Sequence, residues 1–317
     1  MNVAISLPVA AFLATALAVS AHAGPETVWT GATGNWSSAA DWSEGEPVAD
    51  CPAVIASGSV TVNQAGEACA SLQLGSASGA FVPFLVQGGS LAVGGTLTVA
   101  GANVTHGAGA VTAERLQCGG QRAGTYTMSG GSLTVTTCIL GSQPLIGSLS
   151  VSPGQFTVQD SLHVGQGGSI ILFGSATVAD LGNVVVRGVF TVSGRSQTMT
   201  ADSFVMQDFS RLHAGAVIGG VGLIQVSGRA VLNGTLEVQV TTNIPNGTFE
   251  FLRAGTLEGT FDDDDLPGPE WSWFIQGNSL FLKKDDLSPV ERTSWSSIKA
   301  GTATGLGEGE RGEKPGP

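Results

Sequence analysis

Two aspartates stand one apparent repeat apart and are the residues best suited to catalysis. They are Asp160 and Asp180, with His163 and Arg187 downstream. Enzymes that cleave sugar polymers use paired carboxylates, one as a general acid and the other as a base or nucleophile. Exposed turn residues are the favoured interpretation, so we expect no catalytic site. The other carboxylates of this region occupy other phases of the repeat: Glu114, Asp202 and Asp208.

A dense acidic run could hold a metal ion. Its members are consecutive: Asp262, Asp263, Asp264 and Asp265. Carboxylate oxygens are the ligands that calcium prefers, but no Asp-x-Asp-x-Asp-Gly frame surrounds them. Adjacent residues of an extended chain also point in alternating directions. A charged loop that keeps the end of the molecule from associating is favoured, and we expect neither a metal nor another cofactor.

The four cysteines are candidates for disulfide bonds. Cys118 and Cys138 are separated by close to one repeat, and adjacent coils would bring their Cα atoms to about the 5 Å that a disulfide requires. Cys51 and Cys69 would then close a loop over the N-terminal part of the chain. Four buried, reduced thiols are the alternative.

These residues would be positioned by a glycine-led motif that returns about every twenty residues. Each copy places two apolar residues two positions apart after the glycine, on one face of a strand. The clearest copies begin at Gly89, Gly109, Gly131, Gly154 and Gly174, and looser copies at Gly188, Ser210 and Gly228. A period of this size indicates a solenoid, in which stacked turns bury a shared core.

The motif predicts an all-β fold: a single-stranded right-handed parallel β-helix of roughly eight coils of about 20 residues, with capping units at both ends. Composition agrees, because 47 glycines suit tight corners and only 12% of the residues are charged. We expect a signal peptide at 1–23, a tryptophan-rich cap with the first strands at 24–71, the β-helix at 72–240, capping strands at 241–284 and a disordered tail at 285–317.

The first region carries the signature of export. An apolar stretch over residues 9–19 leads to Ala21-His22-Ala23, a small-x-small site that a signal peptidase accepts. We therefore expect a secreted or cell-surface protein, with no membrane span in the mature chain. The net charge of −12 at pH 7 disfavours nucleic acid and anionic membranes as partners.

The tryptophans carry a resemblance to a known class. Near its N-terminus this chain reads Trp29-x-Gly31, Gly34-x-Trp36, Asp41-Trp42 and Gly45-x-Pro47. Near residue 280 it contains Trp271-x-Trp273 and Leu280-Phe281-Leu282. These patterns resemble secreted bacterial parallel β-helix proteins, including the passenger domains of autotransporter-like surface proteins. The resemblance covers roughly residues 28–283, and nothing later resembles the membrane anchors of such proteins. It implies a rod with structural, adhesive or carbohydrate-facing roles, and it does not imply an enzyme.

Outward threonines form a further candidate surface. They stand between the two apolar residues of successive motif copies: Thr112, Thr134, Thr157, Thr177 and Thr191, with Ala92 on the first. A flat threonine array can bind ice, but exposed strands prefer threonine in any case. Because the neighbouring column is irregular, strand propensity is the favoured explanation.

Three functions remain open from the sequence. A structural or adhesive surface rod without catalytic activity is the main expectation, with extracellular glycans or cell-surface components as partners. The alternatives are carbohydrate binding and polysaccharide cleavage by a lyase or hydrolase, with ice binding as a minor one. A glycan-binding face would show an aromatic strip, and the aromatic residues of the coils do not share one column: Tyr126, Phe173, Phe190, Phe204 and Phe209.

Overall fold

The computed structural model describes residues 24–286, apart from 143–144, 174–175, 195–197, 219 and 242–243. The predicted signal peptide and nearly all of the predicted tail lie outside the described residues. Within them the chain forms 25 strands, and a 3₁₀ turn over Ala39–Asp41 is the one helical element. No helix of this part is long and apolar enough to cross a membrane.

The strands wind through about nine turns of a parallel β-solenoid, which confirms the predicted fold class. Pairing between coils arranges the strands in three faces, and the longest strands bend around corners to serve more than one face. The first face contains β1 Thr27–Val28, β3 Pro52–Ile55, β6 Ser71–Leu74, β15 Asn183–Val186 and β18 Ser203–Met206. It also contains the C-terminal parts of six long strands: β7 Val82–Val99, β8 Ala102–Cys118, β10 Ser132–Leu140, β12 Gly154–Val164, β20 Leu223–Leu232 and β22 Gly247–Gly259.

The second face carries most of the short strands. It contains β2 Thr33–Asn35, β4 Ser59–Val62, the start of β7 and β8, β9 Gly124–Met128, β11 Gly147–Val151, β13 Gly168–Phe173, β16 Val189–Ser193, β19 Arg211–Ala216, β21 Thr235–Val240 and β23 Asp263–Asp265. The third face contains β5 Glu67–Cys69, β14 Ala176–Asp180, β17 Thr198–Ala201 and the remaining parts of the long strands. Adjacent coils pair in parallel on all three faces.

The core follows from the alternation of apolar and polar residues along each strand. Alternate side chains point inward, so stacking in register turns each inward position into a column of apolar groups. One column of the first face reads Ala53, Leu72, Leu97, Leu116, Cys138, Leu162, Val184 and Phe204. Every member is at most 1% exposed, so the stacked columns form one continuous core along the axis.

The glycine-led motif predicts strands correctly but does not identify a single face. The copies beginning at Gly89, Gly109, Gly131 and Gly154 stack on the third face. The copies at Gly188 and Ser210 pair with the second face instead, and the copy at Gly228 pairs with the first. A strand that follows a tight corner has the same pattern wherever it lies on the coil.

Close approach between coils explains the glycines at corners. Gly89 has φ +67°, a conformation that favours glycine. A Cβ atom at this position would lie 1.9 Å from the carbonyl oxygen of Gln64 in the preceding coil. Any side chain there would force two corners apart.

Three tryptophans pack at the N-terminal end of the stack. Trp29, Trp36 and Trp42 are at most 4% exposed. The centroid of the Trp42 ring lies 5.2 Å from that of Trp29 and 5.1 Å from that of Trp36. The indole N–H of Trp42 donates to the carbonyl oxygen of Trp36 at 2.7 Å. The Trp36 and Phe84 rings also pack edge to face, with centroids 6.4 Å apart. This contact joins the cluster to the core of the following coils.

An antiparallel hairpin packs at the other end. β24 Trp271–Gln276 pairs with β25 Ser279–Lys284, and β25 pairs antiparallel with β22. Leu280 and Leu282 are fully buried. The change from parallel to antiparallel pairing ends the repeat, because a further coil would need the edge that β25 occupies.

Candidate functional site

The two candidate catalytic aspartates lie at a corner but not in register. Asp180 stands opposite Thr157, and a bulge precedes this pair. Gly182 lies over Asp160, where a Cβ would meet the Asp160 carbonyl oxygen at 2.3 Å. The Asp180 carboxylate accepts a hydrogen bond from the backbone N–H of Gly182 at 3.1 Å, as aspartates in turns commonly do.

Asp180 instead shares a groove with Asp202. The groove has a volume of about 440 Å³ and is lined by the ends of third-face strands, with Arg253 on its far side. The guanidinium of Arg253 is paired with Glu250, Nε to Oε1 at 2.9 Å, and these hydrogen bonds lower the pKa of Glu250. The groove therefore holds two carboxylates beside a cation that already has a partner.

The acidic run does not converge on one point. Asp263, Asp264 and Asp265 form β23, which pairs with β21. Asp262 accepts a hydrogen bond from the Gly234 N–H at 3.2 Å, and Asp264 accepts one from the indole N–H of Trp273 at 2.8 Å. No group of three or more metal-ligating side chains occurs in the part of the chain that the structure describes. These carboxylates act locally, on a corner and on the C-terminal hairpin.

The predicted disulfide bonds are absent, because all four cysteines are free thiols in the structure. Cys118 stands opposite Leu140, and Cys138 stands opposite Leu116. This offset of two positions separates the two Cα atoms by about 8 Å, beyond the reach of a disulfide. The spacing of the two cysteines matched the average repeat, but the coil that joins Leu116 to Cys138 is longer than that average.

The other pair fails for a different reason. Cys69 is buried in the core, whereas Cys51 is partly exposed and lies 3.6 Å from the Asp50 carboxylate. The N–H of Ala70 bonds to the carbonyl oxygen of Cys51 at 2.9 Å, so Cys51 is aligned with Ala70. Cys51 is therefore aligned with the residue after Cys69 and not with Cys69 itself.

The predicted threonine column is shorter than the sequence suggested. Thr112, Thr134 and Thr157 are in register on the third face. Thr177 pairs with Gln155, two residues before Thr157, and so lies outside that column. Thr191 lies on the second face, between Ile171 and His213, because the motif copy that contains it belongs to that face.

The second face carries a hydroxyl array that sequence reasoning missed. Thr105, Thr127 and Ser150 form one column, with a parallel column two positions away: Asn103, Thr125, Ser148 and Ser169. The hydroxyl of Ser148 donates to that of Thr125 at 3.3 Å. The signal was present as polar-x-polar pairs in three segments, but it becomes visible only when coil lengths are known. We call these two columns the hydroxyl array.

Farther along the same face, three chemically active side chains stand on consecutive coils. Thr191 Oγ1 is 3.4 Å from His213 Nδ1, and His213 Nε2 is 2.6 Å from Glu237 Oε2. Burial lowers the pKa of His213, opposed by the charge of Glu237. The residue types match a hydroxyl–imidazole–carboxylate relay, but the short Nε2–Oε2 contact lacks the geometry of a hydrogen bond. The backbone N–H groups of these strands bond to neighbouring coils, however, so none is free to stabilise an oxyanion.

The aromatic residues divide between core and surface. Tyr126, Phe190 and Phe204 are fully buried, whereas Phe173 is 41% and Phe209 81% exposed. Phe209 borders a second groove, of about 530 Å³, at the corner between the first and second faces. Of these five residues, only Phe209 is strongly exposed, and it lies beside polar side chains.

No protein-family model, curated protein or solved structure matches this chain. Its function must therefore be inferred from its own geometry.

Proposed function

We propose that this protein is a structural or adhesive rod, exported from the cytoplasm, whose second face contacts a hydroxylated extracellular surface such as a glycan. The observation that carries the proposal is the hydroxyl array. Thr125, Ser148 and their neighbours present donors and acceptors at the spacing of stacked strands, about 4.8 Å along the axis. A flat lattice of such groups can meet a repetitive partner at many points, so weak contacts add up.

The charge and the ends of the molecule support the same function. A net charge of −12 favours solubility and disfavours polyanionic partners. Hydrophobic clusters at both ends, around Trp36 and Leu280, bury the core where an open coil would associate with another copy. The sides of the rod, rather than its ends, are then the surfaces available to a partner.

Co-sedimentation tests this function directly. The purified full chain is mixed with insoluble cellulose, chitin, xylan or bacterial cell walls and centrifuged. We expect it to sediment with at least one of these, and we expect Thr125→Lys with Ser148→Lys to reduce the bound fraction at least fivefold. The matched control is Thr112→Lys with Thr134→Lys, which alters the third face. A chain that stays in the supernatant with every surface, or binds equally after both double substitutions, would refute the proposal.

Polysaccharide cleavage is the second candidate function. The observation in its favour is that Asp180 and Asp202 line one groove with Arg253 nearby. An acid and a base acting on one glycosidic bond need such a pair of carboxylates.

A further inference from the structure

Phe209 is an exposed aromatic ring held by an unfavourable backbone conformation. It is 81% exposed and is the one non-glycine residue with positive φ, +66°, in the described part of the chain. The N–H of Ser210 bonds to the carbonyl oxygen of Gln207 at 3.1 Å, so Phe209 is the third residue of a β-turn. Glycine or asparagine usually occupies that position when φ is positive.

Neighbouring coils turn this corner with glycine. In the following coil Gly234, with φ +68°, takes the left-handed position and stacks on Ser210. In the preceding coil Gly188 turns the corner outside the left-handed region. A bulky side chain in the left-handed region strains the backbone. Phe209 gains no burial in return, and strain of this kind concentrates at binding sites. The ring is therefore better explained by an external contact than by folding.

The groove beside the ring is a polar column built by the coil register. Arg187, Gln207 and Asn233 each follow an inward residue of the first face by one position. Adjacent members are thus about 4.8 Å apart along the axis, and Gln166 extends the lining into the preceding coil. At about 530 Å³ the groove is in the size range of small-ligand sites.

The polar side chains of the groove are already held by one another. The guanidinium Nε of Arg187 donates to Oε1 of Gln207. The Asn233 amide donates to Oδ1 of Asp208 at 2.7 Å, and Oδ1 of Asn233 accepts from the Gly234 N–H at 2.7 Å. Side chains fixed in this way lose less entropy when a ligand binds.

We propose that this groove binds a neutral oligosaccharide, with one sugar ring stacked on Phe209. Sugars combine an apolar C–H face, which packs on an aromatic ring, with hydroxyl pairs that match the planar amide, carboxylate and guanidinium groups beside it. Arg187 and Asp208 balance each other in charge, and the net charge of −12 repels acidic polymers. The ligand is therefore an uncharged glycan.

This inference rests on the proposed adhesive function, because it names a glycan contact at one edge of the adhesive face. Isothermal titration of the full chain with cellotetraose, xylotetraose, maltotetraose and mannotetraose tests it, with tri-galacturonate as an acidic comparison. We expect at least one neutral tetrasaccharide to bind, and Phe209→Gly to weaken that binding at least tenfold. Phe209→Gly also relieves the strain, so its melting temperature should not fall below that of the wild type. Phe209→Trp should bind, and Phe173→Ala, which removes another exposed ring, should leave binding unchanged.

Three outcomes would overturn the subsite. Binding that is unchanged in Phe209→Gly would place the glycan elsewhere. Tighter binding of tri-galacturonate than of every neutral tetrasaccharide would refute the uncharged ligand. Sedimentation of the chain with an insoluble surface, without binding of any neutral tetrasaccharide, would reject the subsite and leave the adhesive function standing.

Discussion

The imidazole Nδ1 of His106 lies 3.0 Å from the phenol oxygen of Tyr126, inside the apolar core of the solenoid. Nε2 of the same ring lies 3.2 Å from the carbonyl oxygen of Gly109. Both nitrogens are satisfied when Nε2 carries the proton and donates to Gly109 while Nδ1 accepts from the tyrosine hydroxyl. Burial lowers the pKa of His106, which keeps the ring in this neutral form at pH 7.

Removing the hydroxyl of this pair should destabilise the fold. Tyr126→Phe leaves Nδ1 of His106 buried without a donor, and we expect the free energy of unfolding to fall by about 1–3 kcal/mol. Urea denaturation at pH 7.5, followed by tryptophan fluorescence, measures the change. Adding His106→Leu should restore most of the loss, because replacing both partners leaves no unsatisfied group. Equal stability of Tyr126→Phe and wild type would show that the bond contributes nothing.

The fold could be predicted from the sequence because every coil repeats the same local rule. Alternating apolar residues after a glycine specify a strand and its inward face, whichever face of the solenoid it joins. The positions of single residues could not be predicted, because coil length varies. Leu97 pairs with Leu116 and Cys138 pairs with Leu162, although a longer stretch of chain joins the second pair than the first.

The same variation separated the candidate sites from their predicted partners. It moved Cys118 away from Cys138 and Asp160 out of register with Asp180, and it placed Thr191 on another face. The site at Phe209 had no sequence signal beyond the residue itself, since its strain and exposure depend on the turn that contains it. The hydroxyl array had a signal, in the repeated polar-x-polar pairs, that required the register to interpret.

A buried carboxyl at the N-terminal end should make stability depend on pH. Glu67 is 6% exposed, and burial, followed by the hydrogen bond and charge of Glu46, raises its pKa to about 7. The folded state therefore binds more protons than the unfolded state between about pH 4.5 and pH 7. The stabilisation is complete below the unfolded pKa and is lost as the pH rises through about 7.

Glu67→Gln should remove this dependence. We expect the variant to melt roughly 2–4 °C above the wild type at pH 8, the shift that about 1 kcal/mol produces in a domain of this size. At pH 5 the two melting temperatures should be close. Differential scanning calorimetry at both values measures this, with Glu44→Gln, an exposed neighbour, as the control. The prediction would be contradicted if the melting temperature of the wild type, measured relative to that of Glu67→Gln, were higher at pH 8 than at pH 5.

The thiols should differ sharply in reactivity. Burial raises the pKa of Cys69 and of Cys118 to about 12 and places that of Cys138 well above its usual range. Thiolate is the reactive form, so only the partly exposed Cys51 should react with Ellman's reagent in the native protein. All four should react in concentrated guanidinium, and Cys51→Ser should abolish the native signal. Fewer than four thiols after denaturation without reductant would reveal a disulfide.

The tryptophan cluster should be required for a stable N-terminal end. Trp36 is fully buried against Trp42 and Phe84, and Trp36→Ala should cost about 3–5 kcal/mol. Deleting residues 24–50 also removes the strands that cover β3 and β4, and it should yield aggregated or protease-sensitive protein by size-exclusion chromatography and limited proteolysis. Phe81→Ala, at a half-exposed ring, is the control. A deletion variant that remains a monodisperse, cooperatively melting rod would exclude a capping role.

The remaining prediction concerns the groove with Asp180 and Asp202: the purified chain should not cleave pectin, alginate, xylan or glucan. Cleavage needs an acid and a base held on opposite sides of one bond, in environments that separate their pKa values. Here Asp180 is engaged by its own turn, and the nearby Arg253 is paired with Glu250. Reducing-sugar and unsaturated-product assays measure turnover. If either detects it, Asp180→Asn and Asp202→Asn should be compared with Asp160→Asn, which lies outside the groove lining. A loss of a hundredfold or more confined to the first two, the usual contribution of a general acid or base, would establish the enzyme and refute the purely adhesive rod.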